Sequence, residues 1–160
     1  MDQSSNQNIS IKNILSTAKT IAMVGVSSIK KEESTNINRR PSIIVMKYLQ
    51  EFGYRVIPVN LFSGGEKINE ETVFTKLEDI TIPIDIVNVF RPSKETPVIA
   101  KQAIKIKAKA LWLQYGIENH ETKQIAETAN IKYISNKCIK QEYQRLFLKM
   151  RPVFPVLQNN

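Results

Sequence analysis

The residues of this chain best suited to chemistry follow an apolar run near its N-terminus. The run ends at Gly25, and Ser27 and Ser28 lie two and three residues beyond it. A glycine lets the backbone approach a phosphate closely, and serine hydroxyls can donate hydrogen bonds to phosphate oxygens. Arg40 and Arg91 are candidates for bidentate contacts with further anionic oxygens. This set predicts a binding site for a phosphorylated ligand.

The same turn departs from the pattern that binds dinucleotides. A dinucleotide fingerprint supplies three glycines here, and an acidic residue after the second strand binds the ribose hydroxyls. In this chain the turn contains Gly25 alone, and the second predicted strand, residues 54–59, is followed by Asn60. The residues therefore predict a nucleotide-binding fold and argue against NAD as the ligand.

The elements that must position these residues alternate along the chain. Apolar runs of strand length alternate with segments of helical periodicity, which is typical of a parallel sheet covered by helices. The predicted strands are residues 20–26, 54–59, 84–90, 108–114 and 131–134. The predicted helices are residues 9–18, 41–52, 72–80, 96–106, 119–129 and 139–149. We expect the α/β class, a doubly wound five-stranded parallel sheet with helices on both faces.

Length and composition favour one domain. A chain of 160 residues with 42% hydrophobic residues is large enough for a single core. We expect that domain to cover residues 9–149. Residues 1–8 are polar and are predicted to be a disordered lead-in, and residues 150–160 are predicted to form a tail. Apolar runs stop short of the roughly 18 residues that a membrane span requires, so no membrane partner is expected.

Charge and cysteine content restrict the partners and the location. The formal charge is +8, but basic residues are spread along the chain and mixed with acids. Lys101 and Lys105 lie four apart on a predicted helix, as on a solvated face, so the charge disfavours a nucleic-acid partner. The single cysteine, Cys138, cannot form an internal disulfide, which favours a reducing cytoplasm. A partner protein or a homo-oligomer stays open.

Several loops should meet at one edge of the predicted sheet. Ligands of doubly wound sheets bind beyond the carboxyl ends of the strands, near the point where the strand order reverses. Polar or glycine residues follow each predicted strand at that edge, in residues 25–28, 60–65, 90–92, 114–116 and 135–138. We expect these five loops to form the site, without a metal-ligand set or a catalytic acid, base or nucleophile.

Taken together, six ordered motifs carry a family resemblance. They are residues 24–27, 40–42, 53–60, 89–91, 110–116, and 137–139 with Glu142. These motifs resemble the small stand-alone CoA-binding proteins, which are single Rossmann-like domains similar to the CoA-binding domain of succinyl-CoA synthetase alpha subunits. The resemblance extends over about residues 10–146.

The resemblance implies a ligand and a set of contacts. The ligand is coenzyme A or an acyl-CoA, with its 3′-phosphate and pyrophosphate near residues 25–28 and 40–42. The residues expected to bind it are Gly25, Val26, Ser27, Ser28, Arg40, Pro41, Ser42, Asn60, Phe90, Arg91, Pro92, Gln114, Gly116 and Cys138. The chain departs from the family where Leu61 and Phe62 replace a proline and a basic residue, which removes one expected phosphate contact. Residues 29–40 form a longer excursion than usual, and Lys30 or Lys31 is a candidate to replace the lost charge unless the loop is disordered.

Other conspicuous residues have simpler interpretations. Trp112 lies within an apolar strand and is expected in the core, and His120 begins a polar helix and is expected on the surface. Cys138 is either a small buried hydrophobe or a partner for the thiol of CoA in a mixed disulfide. The second interpretation requires the two sulfurs to come within bonding distance.

Three classes of function compete. The first is a module that binds CoA or acyl-CoA and performs no chemistry of its own. The second is a component of an acyl-CoA ligase-type enzyme that a partner chain completes. The third is an NAD-type nucleotide or redox sensor, which the single glycine and Asn60 disfavour.

Overall fold

A computed structural model describes residues 3–27 and 40–149 of the chain. Its helices and strands, in chain order, are α1 (Gln3–Thr17), β1 (Thr20–Val24), α2 (Pro41–Glu51), β2 (Arg55–Val59), β3 (Lys67–Ile68), β4 (Glu71–Thr72), β5 (Ile86–Val89), α3 (Thr96–Lys105), β6 (Ala110–Leu113), α4 (His120–Thr128), β7 (Lys132–Ile134) and α5 (Ile139–Phe147).

Five of the strands form one parallel sheet in the order β2-β1-β5-β6-β7. The chain builds outward from β1 to β2 and then crosses to the other side of β1, so the strand order reverses between β1 and β5. Val24, Val59 and Val89 share one register line, which brings the carboxyl ends of three strands level. The doubly wound, Rossmann-like α/β fold is confirmed.

Helices cover both faces of the sheet, each over its own apolar cluster. Side chains of α1, α2 and α5 pack on one face against residues such as Met23, and Trp112 there is fully buried, as predicted. Helices α3 and α4 pack on the other face against residues such as Val87 and Leu111. Alternate residues of a strand point to opposite faces, so each strand contributes to both clusters. The loops beyond the strands are thereby held on a rigid base.

The helix predicted over residues 72–80 is wrong. Strand β4 ends at Thr72, and a single 3₁₀ turn covers Leu77–Asp79. The amide of Phe74 donates to the carbonyl of Pro58 at 3.0 Å, and the amide of Asn60 donates to the carbonyl of Phe74 at 2.8 Å. Pairing with β2 therefore satisfies this backbone in an extended form, and tertiary contacts override the local preference.

The N-terminal boundary also differs from the prediction. Helix α1 begins at Gln3, so the disordered lead-in predicted over residues 1–8 is wrong for residues 3–8. Arg145 of α5 donates to the side chain of Asn8 at 2.9 Å, and Ile11 and Leu15 are buried. Contacts from a distant helix thus hold a segment whose composition is polar. The predicted tail and most of the 29–40 excursion lie outside the described residues.

Across residues 3–27 and 40–149, every helix is too short or too polar to cross a bilayer.

Candidate ligand-binding site

Gly25 occupies the turn directly after β1. Its φ of +96° lies in the left-handed region that side chains avoid, and its amide donates to the carbonyl of Val59 at 2.9 Å. A Cβ built on Gly25 would lie 2.6 Å from the carbonyl oxygen of Phe90 and 2.8 Å from Cδ of Arg91. The missing side chain therefore makes room for the loop after β5, whereas the sequence suggested that it makes room for a phosphate.

Ser27 and Ser42 join this turn to the first turn of α2. The amide of Ser27 donates to Oγ of Ser42 at 3.1 Å, and the two hydroxyl oxygens are 3.4 Å apart. Ser42 is buried in the first turn of α2, which begins at Pro41 after its N-cap Arg40. The amides of Gly25 and Ser27 thus already donate to acceptors within the protein, so these two amides are not available to a phosphate. Ser28 lies outside the described residues.

Asn60 fastens the loop after β2 to the turn after β1. Its Nδ2 donates to the carbonyl of Val26 at 2.7 Å, and its Oδ1 accepts from the amide of Phe62 at 2.8 Å. Both ends of the amide are therefore used within the protein. Asn60 therefore joins the loop after β2 to the turn after β1, and both of its side-chain hydrogen bonds are made to backbone atoms.

A cavity of about 500 Å³ opens beside Gly25, and we call it the glycine cavity. It lies between the ends of β1 and β2 and the start of α3. Its walls are largely apolar, and its cationic lining residues are Lys76, Arg91 and Lys94. Phe62 stands at the edge with 81% of its surface exposed. Apolar walls with a few cations suit a ligand that combines a flat base with phosphate groups.

Arg91 reaches across the glycine turn and meets a carboxylate. Its Nε donates to Oε1 of Glu95 at 3.1 Å, and its Nη2 donates to Oε2 at 2.8 Å. The two side chains are 40% and 39% exposed. The guanidinium, which the sequence offered for a phosphate, is thus already bidentately paired along one edge.

A second cavity, also of about 500 Å³, opens on the opposite face of the sheet, and we call it the cysteine cavity. The site residues that line it are Pro41, Phe90, Arg91, Pro92, Gln114 and Cys138. Gln114 is buried, and its Nε2 donates to Oδ1 of Asn88 at 2.7 Å, which fixes the orientation of its amide. Half-buried Cys138 is the N-cap of α5. Arg91 lines both cavities.

The predicted site residues that the structure describes fall into three groups: those that line the glycine cavity, those that line the cysteine cavity, and those that line neither. Gly25, Asn60 and Arg91 line the glycine cavity, and those named above line the cysteine cavity. Five others hold loops or helix ends in place and are absent from both linings: Val26, Ser27, Arg40, Ser42 and Gly116. The amide of Gly116, for example, donates to Oδ1 of Asn136 at 2.6 Å.

The sequence interpretation missed several residues of the linings. Lys76 was placed on a helix that does not form, although it lines the glycine cavity. Lys94 and Glu95 lie in the 3₁₀ turn Ser93–Glu95, which directly follows the predicted loop 90–92. Extending that loop by three residues would have found both. In the cysteine cavity the missed residues include Val45 and Ile117.

The chain belongs to the CoA-binding domain family, whose model matches residues 19–144. The matched region contains β1 to β7 and both cavities. This family membership agrees with the resemblance seen in the ordered motifs.

Individual relatives extend over most of the chain. The protein YneT of Bacillus subtilis (strain 168) is 37% identical over 130 residues, which is 81% of this chain and 89% of YneT. The Thermus thermophilus protein known as cell-free ID.343 superposes with a TM-score of 0.79 at 33% identity, covering 88% of this chain and 98% of that one.

One longer structure shares the fold. The dinucleotide-forming acetyl-coenzyme A synthetase 1 of Ca. Korarchaeum cryptofilum superposes with a TM-score of 0.60 at 15% identity. The match covers 74% of this chain and 26% of the synthetase.

Proposed function

We propose that this protein binds coenzyme A or an acyl-CoA across the end of the sheet and performs no chemistry of its own. The observation that carries the proposal is the position of Arg91, which lines both the cationic glycine cavity and the cysteine cavity on the other face of the sheet. A ligand with a charged nucleotide and a long neutral arm matches that pair of chambers. Family membership supports the same ligand class.

The nucleotide half fits the glycine cavity. Lys76, Arg91 and Lys94 would face the phosphates, because ammonium and guanidinium groups pair with phosphate oxygens. Phe62 is exposed at the edge and would cover one face of the adenine by stacking. Side chains then supply the phosphate contacts, since the amides of Gly25 and Ser27 are already hydrogen-bonded.

The pantetheine arm fits the cysteine cavity. Phe90 and Pro92 would contact its methylene and methyl groups, and the oriented amide of Gln114 would meet its amide groups. Cys138 would lie toward the thiol end of the arm. Val26, Ser27, Arg40, Ser42, Asn60 and Gly116 would act indirectly, by holding the loops that line the two chambers.

A second candidate is a component of a ligase-type enzyme that another chain completes. The shared fold with the acetyl-coenzyme A synthetase favours it, because there the matching part is 26% of a longer protein. A stable stoichiometric complex with a second polypeptide, together with ligase activity of that complex, would support this candidate over the first.

Thermal unfolding in the presence of nucleotides tests the leading proposal. A ligand that binds only the folded state raises Tm, and at equal ligand concentrations the rise is larger for the ligand with the lower Kd. CoA should raise Tm, dephospho-CoA should raise it less, and NAD should leave it unchanged. A rise with NAD and none with CoA would contradict the proposal and favour a nucleotide sensor.

A matched pair of lysine variants locates the effect. Lys94 lies in the 3₁₀ turn before α3 and lines the glycine cavity. Lys101 is exposed on α3 and lines neither cavity. Lys94→Ala should reduce the CoA-dependent rise in Tm, and Lys101→Ala should preserve it. If both variants lost the CoA-dependent rise in Tm to the same extent, CoA would be attracted nonspecifically to a basic surface.

A further inference from the structure

We infer that Glu95 sets how much negative charge the glycine cavity accepts, by occupying one edge of Arg91. The inference rests on the proposed function and concerns the affinity and selectivity of that same site. It assigns to Glu95 the role of a specificity-determining residue, whose removal strengthens binding of polyanionic ligands.

The contact geometry shows how completely Glu95 engages Arg91. The two hydrogen bonds, at 3.1 and 2.8 Å, run from Nε and Nη2 to separate oxygens of one carboxylate. A guanidinium has five donors on two bidentate edges, and this pair uses one edge. The terminal edge, with the protons of Nη1 and one of Nη2, is left for another anion.

Glu95 is also fixed in place by its backbone. It ends a 3₁₀ turn, where its amide donates to the carbonyl of Pro92 at 2.9 Å. The next residue, Thr96, is buried, and its hydroxyl oxygen lies 2.6 Å from that of Thr122 on α4. The backbone of Glu95 is therefore held in place within the cavity lining, four residues from the arginine that its carboxylate meets.

The charge balance of the cavity makes this carboxylate conspicuous. Among the described residues that line the cavity, Lys76, Arg91 and Lys94 are cationic, and Glu95 is the one that carries a carboxylate. A phosphate that binds the terminal edge of Arg91 lies near that negative charge, and a phosphate that takes the other edge must displace it. Either way the carboxylate opposes the anion, and the opposition grows with the charge of the ligand.

The consequence is a site from which a polyanionic ligand dissociates more readily. With Glu95 present, the cavity holds a polyanion less tightly than its three cations would allow. CoA carries a 3′-phosphate that dephospho-CoA lacks, so Glu95 narrows the difference in affinity between the two ligands. A binding module that must release its ligand benefits from such a counter-charge.

Isothermal titration of three variants tests the inference. Glu95→Gln keeps the size of the side chain and one acceptor for Arg91 while it removes the charge. We expect it to lower the Kd for CoA by about three- to tenfold, with a smaller change for dephospho-CoA. Glu71→Gln is the control, because Glu71 pairs with Arg55 at 3.3 Å and lines neither cavity. It should leave both Kd values unchanged.

The double variant Arg91→Ala with Glu95→Gln tests whether Glu95 acts through the arginine. The gain from Glu95→Gln should shrink at least by half when Arg91 is absent. The inference is overturned if wild type binds CoA and Glu95→Gln leaves the Kd for CoA unchanged or raises it. Such a result would show that Glu95 positions Arg91 for the ligand. If neither wild type nor any variant binds CoA, the proposed function fails, and this inference fails with it.

Discussion

The α-carbon of Gly25 lies against the carbonyl oxygen of Phe90, so closely that a Cβ on Gly25 would stand 2.6 Å from that oxygen. The amide of Phe90 donates to the carbonyl of Val24 at 2.8 Å, which pins the two loops together at the point where the strand order reverses. The glycine thus allows the loop after β5 to cross the turn after β1. That crossing places Arg91 in the lining of both cavities.

Replacing Gly25 should lower the stability of the fold, whether or not a ligand is present. Gly53 is a matched control, because its φ is also +96° but a Cβ there would meet no atom within 4 Å. Gly25→Ala should therefore lower the free energy of unfolding by at least about 2 kcal/mol more than Gly53→Ala does. Chemical denaturation measures both. Equal losses would show that only the backbone conformation, and not the contact with Phe90, requires a glycine.

Asn60 should matter for stability through its two backbone contacts. Asn60→Ala removes the hydrogen bond to the carbonyl of Val26 and the one from the amide of Phe62. We expect the free energy of unfolding to fall by about 1 to 3 kcal/mol. Asn60→Asp keeps the acceptor and loses the donor, so amide hydrogen exchange at Phe62 should stay slow in Asn60→Asp and become fast in Asn60→Ala. Fast exchange in both variants would contradict this division of roles.

Asp85 should make stability depend on acid pH. Burial alone would raise the pKa of Asp85, but hydrogen bonds from the amides of Lys19 and Thr20 and from Lys109 outweigh it, so its pKa is lowered. The stabilisation is therefore complete above the ordinary value of 3.8 and is lost as the pH falls through the lower folded value. Asp85→Asn should lower the free energy of unfolding at pH 7 by about 1 to 3 kcal/mol.

The acid limb separates this mechanism from a simple packing loss. The difference in unfolding free energy between wild type and Asp85→Asn should narrow below pH 3.8, measured by denaturation at a series of pH values. A difference that stays constant down to the lowest pH would mean that the charge of Asp85 contributes nothing.

The cysteine cavity should be needed for the pantetheine arm and not for the nucleotide. Ile117→Phe places a larger side chain in its lining, so it should weaken CoA several-fold and leave adenosine 3′,5′-bisphosphate unaffected. Ile44→Phe is the control, because Ile44 is 38% exposed on α2 and lines neither cavity. Isothermal titration with both ligands gives the comparison. Weakening of both ligands alike by Ile117→Phe would contradict the assignment of the arm to this chamber.

Much of the fold was predictable because its signals are local. Pro41 at the start of α2 and Gly53 just beyond its end bound a helix of the expected length, and apolar runs mark each strand of the large sheet. The failures lie where distant contacts decide the structure. Phe74 pairs with β2 and prevents a helix, and Arg145 holds Asn8 in a helix that polar composition argued against.

Sequence reasoning predicted where the loops of the candidate site would meet, but not how their side chains are paired. Topology brings the predicted loops to one edge of the sheet, where Gly25 and Gln114 each line a cavity. The sequence could not reveal that the amide of Ser27 donates to Ser42, or that Arg91 is paired with Glu95. Such pairings depend on side-chain geometry across a turn, which residue spacing does not specify.

Isothermal titration of the wild-type protein with CoA tests the central claim most directly. The account predicts saturable binding of one CoA per chain, a weaker isotherm with dephospho-CoA, and an affinity that falls as salt screens the lysines and Arg91 of the glycine cavity. Saturable binding of NAD with no heat from CoA, or no binding of either, would contradict it.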